Sequence, residues 1–103
     1  MAKTPISIII PVLNNEDSIG ECLSHLVAYG RGAEIIVVDG GSEDSTVATA
    51  QEFPVRIFGG HSNRPSRMNY GASKANRDIL YFLDPETIPP KDFVEDIYNS
   101  FLD

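Results

Sequence analysis

The stretch Glu34-Ile35-Ile36-Val37-Val38-Asp39-Gly40-Gly41-Ser42 limits what this chain can fold into more than any other. Four β-branched residues in a row, bounded by polar or turn-forming ones, suit a short strand covered on both faces, as in a parallel sheet. The run stops at a carboxylate and two glycines, which permit a tight turn and a close approach of ligand to backbone. Ser42 reads as a helix N-cap, with Glu43 and Asp44 in a first turn where the helix dipole favours negative charge. In open α/β sheets such a tip is where ligands sit. A purely structural turn, with Asp39 as its cap, is the competing reading.

The same grammar recurs along the chain. Ile6-Ser7-Ile8-Ile9-Ile10 is a second apolar run, closed by Pro11 and carried by Val12 and Leu13 to the polar cluster Asn14-Asn15-Glu16-Asp17. Ile19, Cys22, Leu23, Leu26 and Val27 then mark one helical face, capped by asparagine or Ser18 and ended by Gly30 and Gly32. A shorter helix is expected from Ser42 towards Glu52, stopped by Pro54. Val55-Arg56-Ile57-Phe58 reads as a weaker strand towards an edge. After the loop from Gly59 to Arg64, Pro65 suits the first turn of a helix carrying Met68, Gly71, Ala72 and Ala75. Ile79-Leu80-Tyr81-Phe82-Leu83 is a fourth strand, expected to be buried, and Phe93, Val94, Ile97 and Phe101 mark a last amphipathic helix.

Alternating strands and helices imply an open, mainly parallel, Rossmann-like α/β sheet with right-handed crossovers and helices on both faces. The expected sheet order is 3-2-1-4, with the switch point between the first and fourth strands. The 103 residues suffice for one domain, 1–103, in which only residues 1–5 read as a loose tail. A net charge of −7 argues against a nucleic-acid footprint, which needs a basic face. The single cysteine excludes an internal disulfide and a cysteine-based zinc site. No signal peptide or membrane-length apolar run is visible, so a cytoplasmic location, free or peripheral at a membrane, is expected.

All four strands finish in residues unsuited to a core: Pro11 to Asn14, Asp39-Gly40-Gly41, Gly59-Gly60 and Asp84-Pro85-Glu86. In a parallel sheet these tips share one edge. Asp84 and Glu86 are two apart, so in extended chain they point to the same side. Two carboxylates so placed suit a hard divalent cation, Mg²⁺ or Mn²⁺, with diphosphate oxygens completing the shell. A solvated acidic turn is the alternative.

Four ordered segments resemble the family 2 glycosyltransferases of GT-A fold: Ile8-Ile9-Ile10-Pro11-Val12-Leu13-Asn14-Asn15-Glu16, Ile36 to Thr46, Arg67-Met68-Asn69-Tyr70-Gly71-Ala72, and Leu80 to Thr87. The resemblance covers nearly the whole chain and implies a nucleotide-diphospho-sugar donor, a UDP-sugar first among the candidates. It implies that Pro11, Val12, Asn14 and Glu16 border the nucleoside and that Asp39 accepts a hydrogen bond from the base. It places Arg67 and Asn69 near the nucleotide, Asp84 at ribose and metal, and Glu86 at the metal.

Three departures stand out. Glu86 replaces the second aspartate of the Asp-Xaa-Asp motif, and Gly40 replaces an aspartate common in the wider family. The chain is also much shorter than such enzymes, so the acceptor half and its catalytic base have no counterpart here. Two readings follow: the nucleotide-binding half of an inverting glycosyltransferase, or a non-catalytic truncated relative acting as a binding or assembly module. The second expects self-association through an unpaired strand edge. A flavodoxin or sugar-epimerase type is disfavoured, because no Gly-Xaa-Gly-Xaa-Xaa-Gly or P-loop motif is present.

Among the remaining residues, Cys22 sits on the apolar stripe and reads as core. His25 lies off the stripe and reads as solvated, and His61 as a surface loop residue. Arg64 and Arg67 are candidate phosphate partners. Tyr81 and Phe82 read as strand core.

Overall fold

The β-branched runs become the centre of the sheet. The computed structural model describes residues 4–102. It contains β1 (Ile6–Val12), α1 (Glu16–Tyr29), β2 (Glu34–Asp39), α2 (Thr46–Ala50), β3 (Arg56–Gly59), α3 (Arg64–Lys74), β4 (Ile79–Phe82) and α4 (Phe93–Ser100). The sheet is parallel throughout, in the order β3-β2-β1-β4. That is the expected 3-2-1-4 order. The register sets Val12 beside Asp39 and Asp39 beside Gly59, so three strand tips lie level on one rim.

Alternation along the strands divides the core in two. Ile6, Ile8, Ile10 and Val12 of β1, with Ile35 and Val37 of β2, join Ile19, Cys22, Leu23 and Leu26 of α1 and Phe93 and Val94 of α4. On the other face Ile9, Ile36 and Val38 pack beneath α3. Gly71 makes that approach possible: a β-carbon there would lie 2.5 Å from Ile9 Cγ2. Cys22 is wholly buried as expected, and burial, with the charge of Asp84 adding to it, pushes its thiol up to about 11.

Several expectations are corrected. The helix expected from Ser42 begins only at Thr46, and the carboxylate of Asp44 accepts from Thr46 N at 2.9 Å. Ser42 is instead held in the preceding turn by Asp39. Asn15 is the N-cap of α1, but its side chain turns back to accept from Leu13 N. Val55 lies outside β3 and Leu83 outside β4, although Leu83 is buried and donates its N–H to Ile9 O. Val27 is 43% exposed, because eight residues beyond Ile19 turn the helix about 80° off the buried direction.

The strand β4 is half-buried rather than buried. Ile79 and Tyr81 face the larger core, where burial, and to a lesser degree Cys22, raise the Tyr81 hydroxyl pKa. Leu80 and Phe82 are about two-fifths exposed, because α3 lies over β1 and β2 and leaves the outer strand uncovered. Phe101 falls beyond α4 and is exposed. His25 is half-buried rather than solvated, its ring 4.9 Å from Tyr29 and 6.5 Å from Phe93. Of the expected loose tail, residues 1–3 lie outside the described residues. Thr4 and Pro5 are anchored, through Thr4 Oγ1 donating to Arg31 O and Ile79 N donating to Pro5 O.

The rim opposite the strand tips is tied by one carboxylate. Glu34, with a side chain only 10% exposed, accepts from Ser7 Oγ, Arg56 Nη1, Asn76 N and Asn76 Nδ2 at 2.7–3.0 Å. Burial works to raise its pKa, but these donors outweigh burial and hold it below the ordinary 4.5. A depressed carboxylate contributes stability that is complete above its unfolded pKa and lost as pH falls through the folded one. Glu34→Gln is therefore expected to remove part of the loss of stability seen below pH 4.5. Urea midpoints of both proteins, taken from neutral pH downward, check this; parallel acid limbs would contradict it.

Candidate nucleotide site at the split between two strands

The opening at the rim begins with a missing hydrogen. Along β1, Val12 O faces β2, where it accepts from Gly40 N, while Ile9 O faces β4, where it accepts from Leu83 N. Successive residues of a strand address opposite neighbours, so position 11 also faces β4. Proline has no N–H to donate there, and the ladder cannot continue. The β1–β4 register ends at Ile9 and Phe82. Beyond it the two chains part, and a pocket of about 210 Å³ opens, lined by Pro11, Leu13, Asn15, Arg64, Arg67, Asp84, Pro85 and Glu86.

Its floor carries both expected carboxylates. Asp84 Oδ1 accepts from Glu86 N at 2.9 Å, a local turn that fixes the two residues relative to one another. Asp84 Oδ2 is 3.3 Å from Arg64 Nη1, an ion pair roughly half exposed on both sides and hence weak. Glu86 is exposed. Arg67 is 7% exposed, and its Nη1 donates to the carbonyls of His61 (3.2 Å) and Ser62 (2.8 Å). His61 itself stacks on Tyr70 with ring centroids 4.1 Å apart.

The other expected site residues are on the same rim but build it rather than line the pocket. Asp39 is 9% exposed and spends its carboxylate on the turn: Gly41 N, Ser42 N and Ser42 Oγ all donate to it, the last at 2.5 Å. Gly41 at φ 101° lets the backbone fold back for these bonds. Ser42 N reaches both oxygens, so four hydrogen bonds fall on the roughly four acceptor positions that a carboxylate offers. Val12 is core. Asn14 and Glu16 stitch the loop after β1 to the loop after β2. Asn14 N donates to Ser42 Oγ, Glu43 N to Asn14 Oδ1, Glu16 N to Asp44 Oδ2 and Ser45 N to Glu16 Oε2. A fifth bond runs from Asn15 N to Thr46 Oγ1. Thr46 Oγ1 foremost, then Thr46 N and Glu16 N, donate to Asp44 and hold it below the usual carboxylate range. Asn69 is exposed and outside the pocket lining.

The structure thus brings together Pro11, Arg67, Asp84 and Glu86, and adds Leu13, Asn15, Arg64 and Pro85. Arg64 was legible as a candidate from its place at a helix start, and Leu13 from the Pro11-Val12-Leu13-Asn14 segment that the resemblance sets beside the nucleoside; Asn15 became visible only through the split at Pro11. Among the described residues, no group of three or more His, Cys, Asp or Glu side chains converges. Two adjacent carboxylates still fit a cation that takes most of its oxygen ligands from water and ligand, as Mg²⁺ does.

An open parallel sheet in the order 3-2-1-4, with its polar tips gathered at the switch, is the fold of the GT-A glycosyltransferases. Solved structures of that class superpose on it: S. aureus TarS (TM-score 0.83, 23% identity, covering 95% of this chain and 32% of that one). The mannosyltransferase PcManGT of Pyrobaculum calidifontis, in complex with GDP-Man and Mn²⁺, superposes with TM-score 0.84 at 17% identity, covering all of this chain and 34% of that one. Glucosyl-3-phosphoglycerate synthase from Mycobacterium tuberculosis, with Mn²⁺, UDP and glucosyl-3-phosphoglycerate, gives 0.81 at 24%, covering 94% and 39%. Residues 7–103 match the model of glycosyl transferase family 2, and the chain belongs to that family.

Its relatives include glycosyltransferase AglE of Haloferax volcanii, 30% identical over 100 residues, 87% of this chain and 33% of the relative. Glucosyl-3-phosphoglycerate synthase of Petrotoga mobilis is 35% identical over 107 residues, 94% of this chain and 32% of the relative. The chain spans about a third of the length of these two proteins. No helix among the described residues is long and apolar enough to cross a membrane.

The stitched loops give a direct test. Asn14 stands at φ 54°, a left-handed conformation that asparagine tolerates and a residue with a plain methyl side chain does not. Asn14→Ala keeps the strain and strands Glu43 N, and is expected to cost about 1–2 kcal/mol. Asn14→Gly relieves the strain but not the lost acceptor and should recover part of it. Denaturant titration of the three proteins measures the order.

Proposed function

We propose that this domain binds a nucleotide-diphospho-sugar, a UDP-sugar by preference, through a divalent metal, as the donor half of an inverting glycosyl transfer to an acceptor hydroxyl. One observation carries the reading: Asp84 and Glu86 share a single polar pocket with two arginines where the sheet of a family 2 chain splits. Complexes of similarly folded proteins with Mn²⁺ and UDP or GDP-Man support it.

In this reading Asp84 and Glu86 hold Mg²⁺ or Mn²⁺. The cation, when bound, neutralises the diphosphate as it leaves. Pro11 and the Asp84 backbone turn border the nucleoside, and Arg67 approaches the nucleotide from the pocket wall. Asp39 accepts from a base N–H in place of one arm of the Ser42 N–H bond that its two oxygens share, while Val12, Asn14 and Glu16 hold the rim in shape. Asn69, exposed beside this wall, reaches the nucleotide only from outside the pocket. No general base for the acceptor is assigned among the described residues.

Titration calorimetry with UDP is expected to show binding that Mn²⁺ strengthens at least about tenfold, and Asp84→Asn is expected to abolish the metal effect. Absence of heat with UDP, GDP and dTDP alike, with Mn²⁺ present, overturns the reading.

A second reading is favoured by Leu80 and Phe82, apolar and exposed on an outer strand. The domain would then act as an assembly module, pairing with another copy over this face. Sedimentation equilibrium should then give a mass above the monomer, returned to the monomer by Leu80→Lys with Phe82→Lys. A wild-type protein that is monomeric throughout removes this reading.

A further inference from the structure

The charges of the pocket do not cancel. Arg64 is paired with Asp84, but the described residues contain no carboxylate within 4.0 Å of Arg67. Arg67 as a whole is 7% exposed, and its Nε is buried with no hydrogen-bond partner at all. Nη1 rests on two carbonyls, which are neutral acceptors. A guanidinium is always charged and can only donate. A buried charge without a counter-charge is costly, and an anion from outside would offset that cost.

The neighbouring strand tip shows why no internal anion does this. A β-carbon on Gly40 would lie 2.3 Å from Arg67 Nη1 and 3.0 Å from Cζ. The guanidinium therefore fills the space a side chain at position 40 would take. Gly40 is not in the left-handed region, so its backbone does not demand glycine. The demand comes from Arg67. An aspartate at position 40 would push the guanidinium aside and neutralise it.

We infer that Arg67, left uncompensated by the glycine at position 40, is a fixed anchor for the diphosphate, so that retention of the nucleotide does not depend on the metal alone. The inference rests on the proposed nucleotide site and adds a second electrostatic hold to it. Arg67 opens on the same pocket as Asp84 and Glu86, so both holds act on one anionic group. Because the arginine is already immobilised by the carbonyls of His61 and Ser62, little side-chain freedom is lost when the ligand arrives.

The probes are UDP, inorganic pyrophosphate and uridine, each titrated into the wild type, Arg67→Gln and Gly40→Asp, in Mn²⁺ and in EDTA. The wild type is expected to bind UDP and pyrophosphate in EDTA, and uridine far more weakly. Both variants should lose at least about tenfold of the metal-free affinity for pyrophosphate, the scale of a lost charged hydrogen bond. Gly40→Asp keeps the arginine in the chain but displaces its guanidinium and pairs it with a carboxylate, since the β-carbon would meet Nη1 at 2.3 Å; it decides the matter should Arg67→Gln fail to fold, with circular dichroism as the check. Wild-type affinity for pyrophosphate in the variants overturns the inference. So does a wild type that binds UDP with Mn²⁺ but not at all in EDTA, or one that binds uridine and not pyrophosphate. Binding of pyrophosphate without any binding of UDP in Mn²⁺ leaves the anchor standing and removes the nucleotide reading instead.

Discussion

All seven residues of β1 are shut away from solvent on both faces. A strand in that position tolerates unpaired polar groups only where it ends, and the other structural features follow from this restriction. Ser7 is admitted because Glu34 accepts its hydroxyl. Otherwise polarity is driven to the strand ends, and the parallel register lines those ends up on two rims. One rim is closed by Glu34. The other is closed only between β1 and β2, where Asp39, Asn14, Glu16 and Asp44 satisfy one another's loops. Between β1 and β4 it stays open, because Pro11 has no hydrogen to offer.

The open seam accounts for the chemistry at the site. Where backbone pairing stops, the chain after Leu83 is free to turn, and the turn presents Asp84 and Glu86 together. Arg64 and Arg67 come from the start of α3, which Gly71 allows to lie close on the sheet. The pocket is therefore a consequence of two packing facts, a proline in a central strand and a glycine in a helix. Both are remote in kind from the carboxylates they bring into use.

The strands, their order and the rim at which they end were legible in the residues, since β-branched runs with polar tips admit few arrangements. The paired carboxylates Asp84 and Glu86 were legible as residues two apart, although the chain turns between them instead of running extended. The division of labour among the motif residues was not. Asp39, Asn14 and Glu16 carry the motif as plainly as Asp84 does, yet their oxygens are engaged by neighbouring loops. A carboxylate in a sequence does not reveal which amides will compete for it. The same limit misplaced Ser42, which reads as a helix cap until Asp39 captures it, and His25, which lies off its own helix stripe but under α4.

What the sequence alone determined is the alternation of strand and helix, the parallel order and the acidic, glycine-marked tips, because these follow from local periodicity and turn chemistry. What only the tertiary structure decided is which tip residues remain free to meet a ligand, and that Leu80 and Phe82 stay uncovered. Those outcomes depend on register and on which helix lies over which strand, quantities set by contacts between residues far apart in the chain. Gly40 shows the difference at one position: in sequence it is a turn residue, and in the fold it is the space that Arg67 occupies.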